Sequence, residues 1–116
     1  MKDAPVTEDK QANYQVKNIE QVMVGSDMRA RLFTLAPGET IPWHYHRGAA
    51  DHYFVLEGEL VVLTRATNEA THTVGIGSDY PIEPGTPHQI SNRSTKNCRF
   101  LLLQGVGKYD WVKVAD

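Results

Sequence analysis

Residues 38–58 have the sequence GETIPWHYHRGAADHYFVLEG, in which two histidines and an aspartate lie between framing glycines. The polar positions follow the spacing Gly38-x5-His44-x-His46-x4-Asp51-x6-Gly58. On a β-strand, positions two apart project to one face, so His44 and His46 are predicted to lie side by side. The short, glycine-containing stretch after His46 is typical of a turn, which would bring Asp51 back beside the two imidazoles. Imidazole and carboxylate groups converging on one point favour a metal site.

A second segment adds a third imidazole. Residues 77–92 have the sequence GSDYPIEPGTPHQISN, and His88 follows a turn that contains Pro84 and Pro87. Proline fixes its own backbone angle φ, so this turn would aim the His88 side chain rigidly. The sequence therefore predicts four candidate metal ligands: His44, His46, Asp51 and His88.

Short apolar runs between turn residues make up the rest of the chain, and no segment has a sustained 3.6-residue period. This pattern predicts many short strands in a sandwich or barrel, with little helix. The expected runs are Ile19–Val24, Met28–Leu35, Tyr53–Leu63, Thr71–Ile76, Tyr80–Ile82, His88–Ile90, Arg99–Gln104 and Tyr109–Val114. Residues 60–63 and 100–103 are consecutively apolar, so these strands are expected to bury both faces against a second sheet or a second subunit.

Length and composition limit the possible functions. A chain of 116 residues with 41% hydrophobic residues and a net charge of −2 is expected to form one ordinary globular domain. Without a Lys/Arg cluster, nucleic acid is not an expected partner. No membrane span and no apolar stretch of signal-peptide length is evident, and a lone Cys98 excludes an internal disulfide, so we expect a cytoplasmic protein.

Residues 1–12 are polar and without periodicity. We expect them to form a flexible N-terminal arm, or an arm that pairs with a second subunit. Residues 13–116 are then the single barrel domain.

Together the two segments resemble the two signature motifs of the cupin superfamily, in its small single-domain form. The resemblance extends from Leu32 to Gln104. It implies an antiparallel jelly-roll (double-stranded β-helix) barrel of six to eight strands, one divalent metal ion inside, and often a dimer. The family's three histidine ligands correspond to His44, His46 and His88. Asp51 stands where the family usually has glutamate, and Glu83 where it usually has proline.

The resemblance does not choose one function, because cupins include dioxygenases, isomerases and binding modules. We expect a small oxygen-rich molecule at an open coordination position of Fe, Mn, Zn or Ni, which the sequence does not distinguish. The alternatives are a non-catalytic metal- or small-ligand-binding module, and a degenerate barrel whose histidines are structural. We expect a homodimer whichever function holds. Asp51 is either a ligand or an acceptor that orients a histidine.

Aromatic residues near the motifs are candidates for the wall of a ligand pocket. Trp43 is one such candidate, although simple packing in the core or at an interface is the favoured interpretation, since large aromatic residues are usually buried. Tyr53 and Phe54 point to opposite faces of one strand, so one of them should line the barrel. Arg29 and Arg31 share a strand face. This placement suits either the binding of an anionic substrate or an exposed edge strand whose charges are hydrated.

Overall fold

The computed structural model describes residues 6–9 and 14–114, and every regular element in this part of the chain is a β-strand. This confirms the predicted all-β class. The eleven strands exceed the six to eight that the family resemblance implied. They are β1 (Val6–Asp9), β2 (Tyr14–Val24), β3 (Arg29–Leu35), β4 (Thr40–Tyr45), β5 (Ala50–Glu57), β6 (Leu60–Arg65), β7 (Glu69–Val74), β8 (Asp79–Ile82), β9 (His88–Ser91), β10 (Cys98–Gly105) and β11 (Val112–Lys113).

Two antiparallel sheets form the jelly roll. The larger sheet has the order β1-β2-β3-β10-β5-β8, and the smaller has β11-β4-β9-β6-β7. Strands distant in sequence are therefore hydrogen-bonded neighbours. Pairing of β4 with β9 sets His44 directly opposite His88, and pairing of β10 with β5 sets Gln104 opposite Asp51. The topology itself brings the two sequence segments to one place.

The main core lies between the sheets. Phe33 and Phe100 are fully buried and stack with ring centroids 5.0 Å apart. Removing a side chain of this size from water contributes about 1.5–3 kcal/mol to folding. This core makes the two sheets a rigid frame for the polar side chains that project between them.

Strand β6 buries both faces, as its apolar run predicted. Leu60 and Val62 belong to the main core. Val61 and Leu63 form a second cluster with Trp43 on the other face of the sheet, packed against Val114. In β10 the prediction holds for one face only, since Leu101 and Leu103 are half-buried.

The expected run Tyr53–Leu63 is in fact two strands, β5 and β6. The chain reverses at Gly58, whose φ of 77° lies in the left-handed region that favours glycine. A Cβ at this position would lie 2.5 Å from the carbonyl oxygen of Asn97, closer than atoms can approach. The last glycine of the first motif is therefore required by backbone packing.

Part of the predicted arm forms strand β1, which pairs antiparallel with β2 through Val6 opposite Ile19 and Asp9 opposite Tyr14. Residues 1–5 and 10–12 lie outside the described residues, so the flexibility of the arm stays a prediction. The expected homodimer also stays a prediction. Among the described residues there is no helix with the length and hydropathy needed to cross a bilayer.

Replacing Gly58 with alanine is expected to destabilise the protein more than the same change at Gly38. Both glycines have positive φ, at 77° and 84°, which costs an L-residue about 1–2 kcal/mol. A Cβ on Gly38 meets nothing within 4 Å, whereas one on Gly58 collides with backbone. Urea unfolding of both variants measures the difference. Equal losses would show that the collision relaxes without cost.

Candidate metal centre

Strand β4 supplies two of the four candidate ligands, and it does so through an irregularity. The register of β4 against β9 shifts between Ile41 and His44. A shift of this kind adds a residue and changes which side chains face inward. Ile41 consequently lies in the main core, Trp43 in the outer cluster, and His44 again between the sheets. His44 and His46 then share a face, with ring centroids 4.8 Å apart.

The other two ligands come from both sheets. His88 on β9 lies beside His44, with ring centroids 4.2 Å apart, and Asp51 projects from β5 in the larger sheet. One donor atom from each of the four residues lies within 4.8 Å of all the others. All four residues are at most 2% exposed. The predicted set His44, His46, Asp51 and His88 is thus one buried cluster that could hold a metal ion.

Backbone carbonyl groups orient the three imidazoles. The Nδ1 atom of His44 lies 2.7 Å from Pro42 O, that of His46 lies 2.5 Å from Asp110 O, and that of His88 lies 2.8 Å from Thr86 O. A carbonyl oxygen can only accept, so each Nδ1 carries the proton and donates it. A neutral ring then has a lone pair on Nε2. This tautomer leaves Nε2 available to a metal, as in metal sites where the other ring nitrogen donates to a backbone carbonyl.

Asp51 is the anionic member of the cluster. Its Oδ2 atom lies 3.1 Å from His88 Nε2 and 3.3 Å from His46 Nε2. The contact with His46 lacks hydrogen-bond geometry, so this buried nitrogen has no partner among the described residues. Asp51 also accepts from the Tyr53 hydroxyl at 2.8 Å and from Gln104 Nε2 at 3.0 Å. The aspartate is shorter than the family's glutamate, yet it reaches the imidazoles.

The pKa shifts follow from burial and from this proximity. Burial and the neighbouring His88 imidazole lower the pKa of His44 to about 2, which keeps the ring neutral. Burial lowers the pKa of His46, but the Asp51 carboxylate outweighs it and the net direction is upward. Burial would raise the pKa of Asp51, but the adjacent His46 and His88 imidazoles hold it well below its usual value. Asp51 is therefore ionised.

The donor spacing fits a metal ion. Two donors bound at about 2.1 Å and at right angles lie about 3 Å apart. The separations of 3.1 and 3.3 Å between Asp51 Oδ2 and the two Nε2 atoms are close to that value. Three imidazoles and one carboxylate suit zinc, iron, manganese or nickel. The residues present therefore fit the divalent ion that the family resemblance implied.

The C-terminal segment covers the cluster, which the sequence did not predict. Tyr109–Val114 was expected to be one strand, but only Val112–Lys113 forms a strand. Trp111 stacks on His44 with centroids 3.6 Å apart and planes 10° apart. Tyr109 lies 5.2 Å from His46 by ring centroid. An ion pair between Asp110 and Arg47 fastens the segment at 2.5 Å.

The three predicted pocket residues lie in different places. Tyr53 points inward and contacts Asp51 through its hydroxyl, and burial raises its pKa well above the usual value, so it remains a donor. Phe54 points the other way and stacks on His52. Trp43 lies in the outer cluster, with the Arg65 guanidinium 3.8 Å from its ring centroid. Of the three, the structure brings Tyr53 to the candidate ligands.

Arg29 and Arg31 do not form an exposed edge, since β3 lies inside its sheet between β2 and β10. Arg31 is 7% exposed, and both side chains donate to Gln104 Oε1. The Arg29 guanidinium also lies 3.8 Å from the Tyr109 ring centroid. A polar residue at an inward position of an apolar strand was the signal that could have identified Gln104.

The family model described as "Cupin domain" matches residues 31–104, which is more than half of the chain. The chain therefore belongs to the cupin family. No curated protein is similar enough in sequence to count as a match.

Solved structures share the fold. A conserved protein with a double-stranded β-helix domain from Klebsiella pneumoniae subsp. pneumoniae MGH 78578 has a TM-score of 0.73 at 18% identity, covering 84% of this chain and 83% of that one. Recombinant oxalate oxidase in complex with glycolate has a TM-score of 0.69 at 22% identity, covering 75% and 46%. Bacillus subtilis oxalate decarboxylase, which has Mn(II) centres, has a TM-score of 0.75 at 16% identity, covering 88% and 29%. The chain thus spans less than half of either oxalate enzyme.

Replacing His44, His46 or His88 with alanine is expected to remove most bound metal, because the remaining donors hold a divalent ion poorly. For Asp51→Ala, a loss of affinity of roughly 10–100-fold is the range expected of a residue that only orients a ligand. Metal content and chelator competition measure both effects. His52→Ala is the matched control, since His52 contacts Asp79 at the surface. Full occupancy in His46→Ala would refute this site, and a loss at Asp51 equal to that at His88 would identify a direct ligand.

The metal-free protein is expected to lose stability as pH falls below about 6.5, and His44 is one cause. The unfolded chain takes up a proton on this residue near pH 6.5, whereas the folded pKa is about 2. The contribution reaches at most about 1.4 kcal/mol for each pH unit. Urea unfolding at pH 7.5 and 5.0 should show a smaller loss for His44→Gln than for wild type and for the control His72→Gln. Equal losses in all three proteins would contradict the assignment.

Proposed function

We propose that this cupin binds one divalent metal ion at His44, His46, Asp51 and His88, and that the ion takes a small oxygen-rich molecule at a position the protein leaves open. The observation that supports the metal most directly is the arrangement of lone pairs. With Nδ1 protonated, the Nε2 lone pairs of His46 and His88 face the Asp51 carboxylate at 3.3 and 3.1 Å. The lone pairs on these two nitrogens repel the negatively charged carboxylate unless a cation lies between them. Either extra protons or a metal ion meets that requirement.

A metal ion meets it without adding a charge to any imidazole. Extra protons would instead form imidazolium ions, which burial opposes at His44, whose pKa is lowered, although the Asp51 carboxylate raises the pKa of His46. A divalent ion supplies two positive charges to three neutral rings and one carboxylate. The net charge of the buried site is then +1, and every inward lone pair is used.

An exogenous ligand follows from the number of donors. Three imidazoles and one carboxylate oxygen provide four donors, whereas iron, manganese and nickel commonly take more. When bound, the ion would supply Lewis-acid or redox chemistry to a ligand in the remaining positions. The oxalate enzymes among the structural neighbours, one of them in complex with glycolate, support small carboxylic acids as the first class to test.

The chain's own residues would hold and shield that ligand. Trp111 and Tyr109 cover His44 and His46 with aromatic rings, which exclude water and strengthen electrostatic contacts within the site. Asp51 is held ionised by its contacts. These roles suit an enzyme of the dioxygenase or isomerase type.

A non-catalytic binding module is the second candidate. The observation that favours it concerns acid–base groups. Tyr53 is a further titratable residue in contact with Asp51, and its raised pKa keeps it protonated. Both oxygens of Asp51 already accept hydrogen bonds, from Gln104 and Tyr53. The described residues thus offer no free buried base beside the cluster.

Metal-loaded protein distinguishes these possibilities. Chain purified without an affinity tag and loaded with Mn²⁺ is expected to enhance water-proton relaxation, because water exchanges at the open positions. Glycolate or oxalate should reduce that enhancement by displacing the water. A screen of small acids with and without O₂ then tests turnover, and His88→Ala with the same Mn²⁺ serves as the blank.

The outcomes separate the two candidates. Turnover of any acid supports the enzyme, whereas displacement of water without turnover favours the binding module. Bound Mn²⁺ that gives no enhancement and no response to acids would mean that protein atoms close the coordination sphere, and would overturn the proposal.

A further inference from the structure

We propose that Gln104 is a positioning residue that fixes which oxygen of Asp51 faces the three histidines. This inference rests on the proposed metal function. Gln104 lies on β10 directly opposite Asp51 on β5, and it is 4% exposed. It lies outside both histidine-containing segments of the sequence, and its side chain contacts the carboxylate rather than the candidate metal position.

The two arginines determine the orientation of the Gln104 amide. Its Oε1 atom accepts from Arg31 Nη2 at 2.7 Å and from Arg29 Nε at 3.1 Å. A guanidinium group can only donate, so the amide oxygen has to face the arginines. The amide nitrogen is consequently turned the other way, where its Nε2 donates to Asp51 Oδ1 at 3.0 Å. If the amide were flipped, its NH2 group would face the two guanidinium groups, and donors would lie against donors.

The two Asp51 oxygens are therefore distinguished. Oδ1 is engaged by Gln104, while Oδ2 accepts from Tyr53 and faces the Nε2 atoms of His46 and His88. Rotation of the carboxylate about its terminal bond would break the bond to Gln104. We infer that Asp51 offers the metal one oxygen, Oδ2, and that Gln104 prevents Oδ1 from joining it.

This arrangement also explains how aspartate serves where the family usually has glutamate. The shorter side chain reaches less far and has one rotatable bond fewer, so the position of its donor oxygen depends on rotations about the two bonds that remain. A buried amide held by two charged donors restricts those rotations. The orientation of Asp51 thus depends on the Arg29–Arg31–Gln104 group as well as on its own strand.

Two variants test the inference with Co²⁺ as the probe. Gln104→Glu keeps an oxygen for Arg29 and Arg31 but loses the amide donor, so the fold should survive while the carboxylate is released. Gln104→Leu removes both functions. Gln89→Leu on β9 is the matched control, a half-buried glutamine for which no side-chain contact with the cluster is found. Chelator competition gives the Co²⁺ dissociation constant, visible absorption gives its coordination, and thermal melts record folding.

Both Gln104 variants are expected to weaken Co²⁺ binding roughly 10–100-fold and to change its visible spectrum, since the carboxylate donor moves. Gln89→Leu should leave the spectrum unchanged, whatever it does to the melting temperature. Wild-type affinity and spectrum in folded Gln104→Glu would overturn the positioning role and leave the metal function standing. Failure of wild-type protein to bind any divalent ion would remove the metal function, and this inference with it.

Discussion

The buried carboxylate of Asp51 is the constraint on which the site depends. Its side chain has no exposure to water, and an isolated ionised carboxylate in such a place is costly. Four polar groups surround it, from His46, Tyr53, His88 and Gln104. Two of these present lone pairs in the neutral state, so the carboxylate remains incompletely compensated until positive charge enters. The cluster therefore has the charge and the donor geometry that could hold a cation.

The jelly roll makes this arrangement possible because it joins distant strands. His44 and His88 are 44 residues apart in sequence, yet they are direct cross-strand partners. Asp51 and Gln104 are paired in the same way in the opposite sheet. Backbone carbonyls of Pro42, Thr86 and Asp110 then fix the three rings. Since the frame holds the rings and the carboxylate together, little reorganisation remains for ligand binding.

The residues that cover the site belong to the C-terminal segment, so this segment is in contact with the site. The backbone carbonyl of Asp110 accepts a hydrogen bond from His46, and its carboxylate accepts one from Arg47. Trp111 lies between Tyr14 and His44, stacked on each. The same few residues thus orient a ligand, shield the site and connect it to β2. Differences in this segment would alter access to the site while leaving the jelly roll unchanged.

The sequence by itself determined the all-β class, the family and the four clustered side chains. The class and the clustering follow from local rules: period-two projection on strands, glycine and proline at turns, and the spacing of His44, His46, Asp51 and His88. The family follows from the resemblance of the two segments to cupin motifs. The turn at Gly58 was not among these predictions, since Tyr53–Leu63 was expected as one run. Local structure that depends on residues two or three positions apart can be predicted from the neighbouring sequence.

The tertiary structure decided everything that depends on pairing across the barrel. Gln104 holding Asp51, Trp111 covering His44, and the burial of Arg31 each join residues many positions apart. The shift in β4 that places Ile41 and Trp43 on opposite faces is set by the register of β4 against β9. No local pattern encodes these contacts, because they arise from strand order and from the competition of side chains for one buried volume.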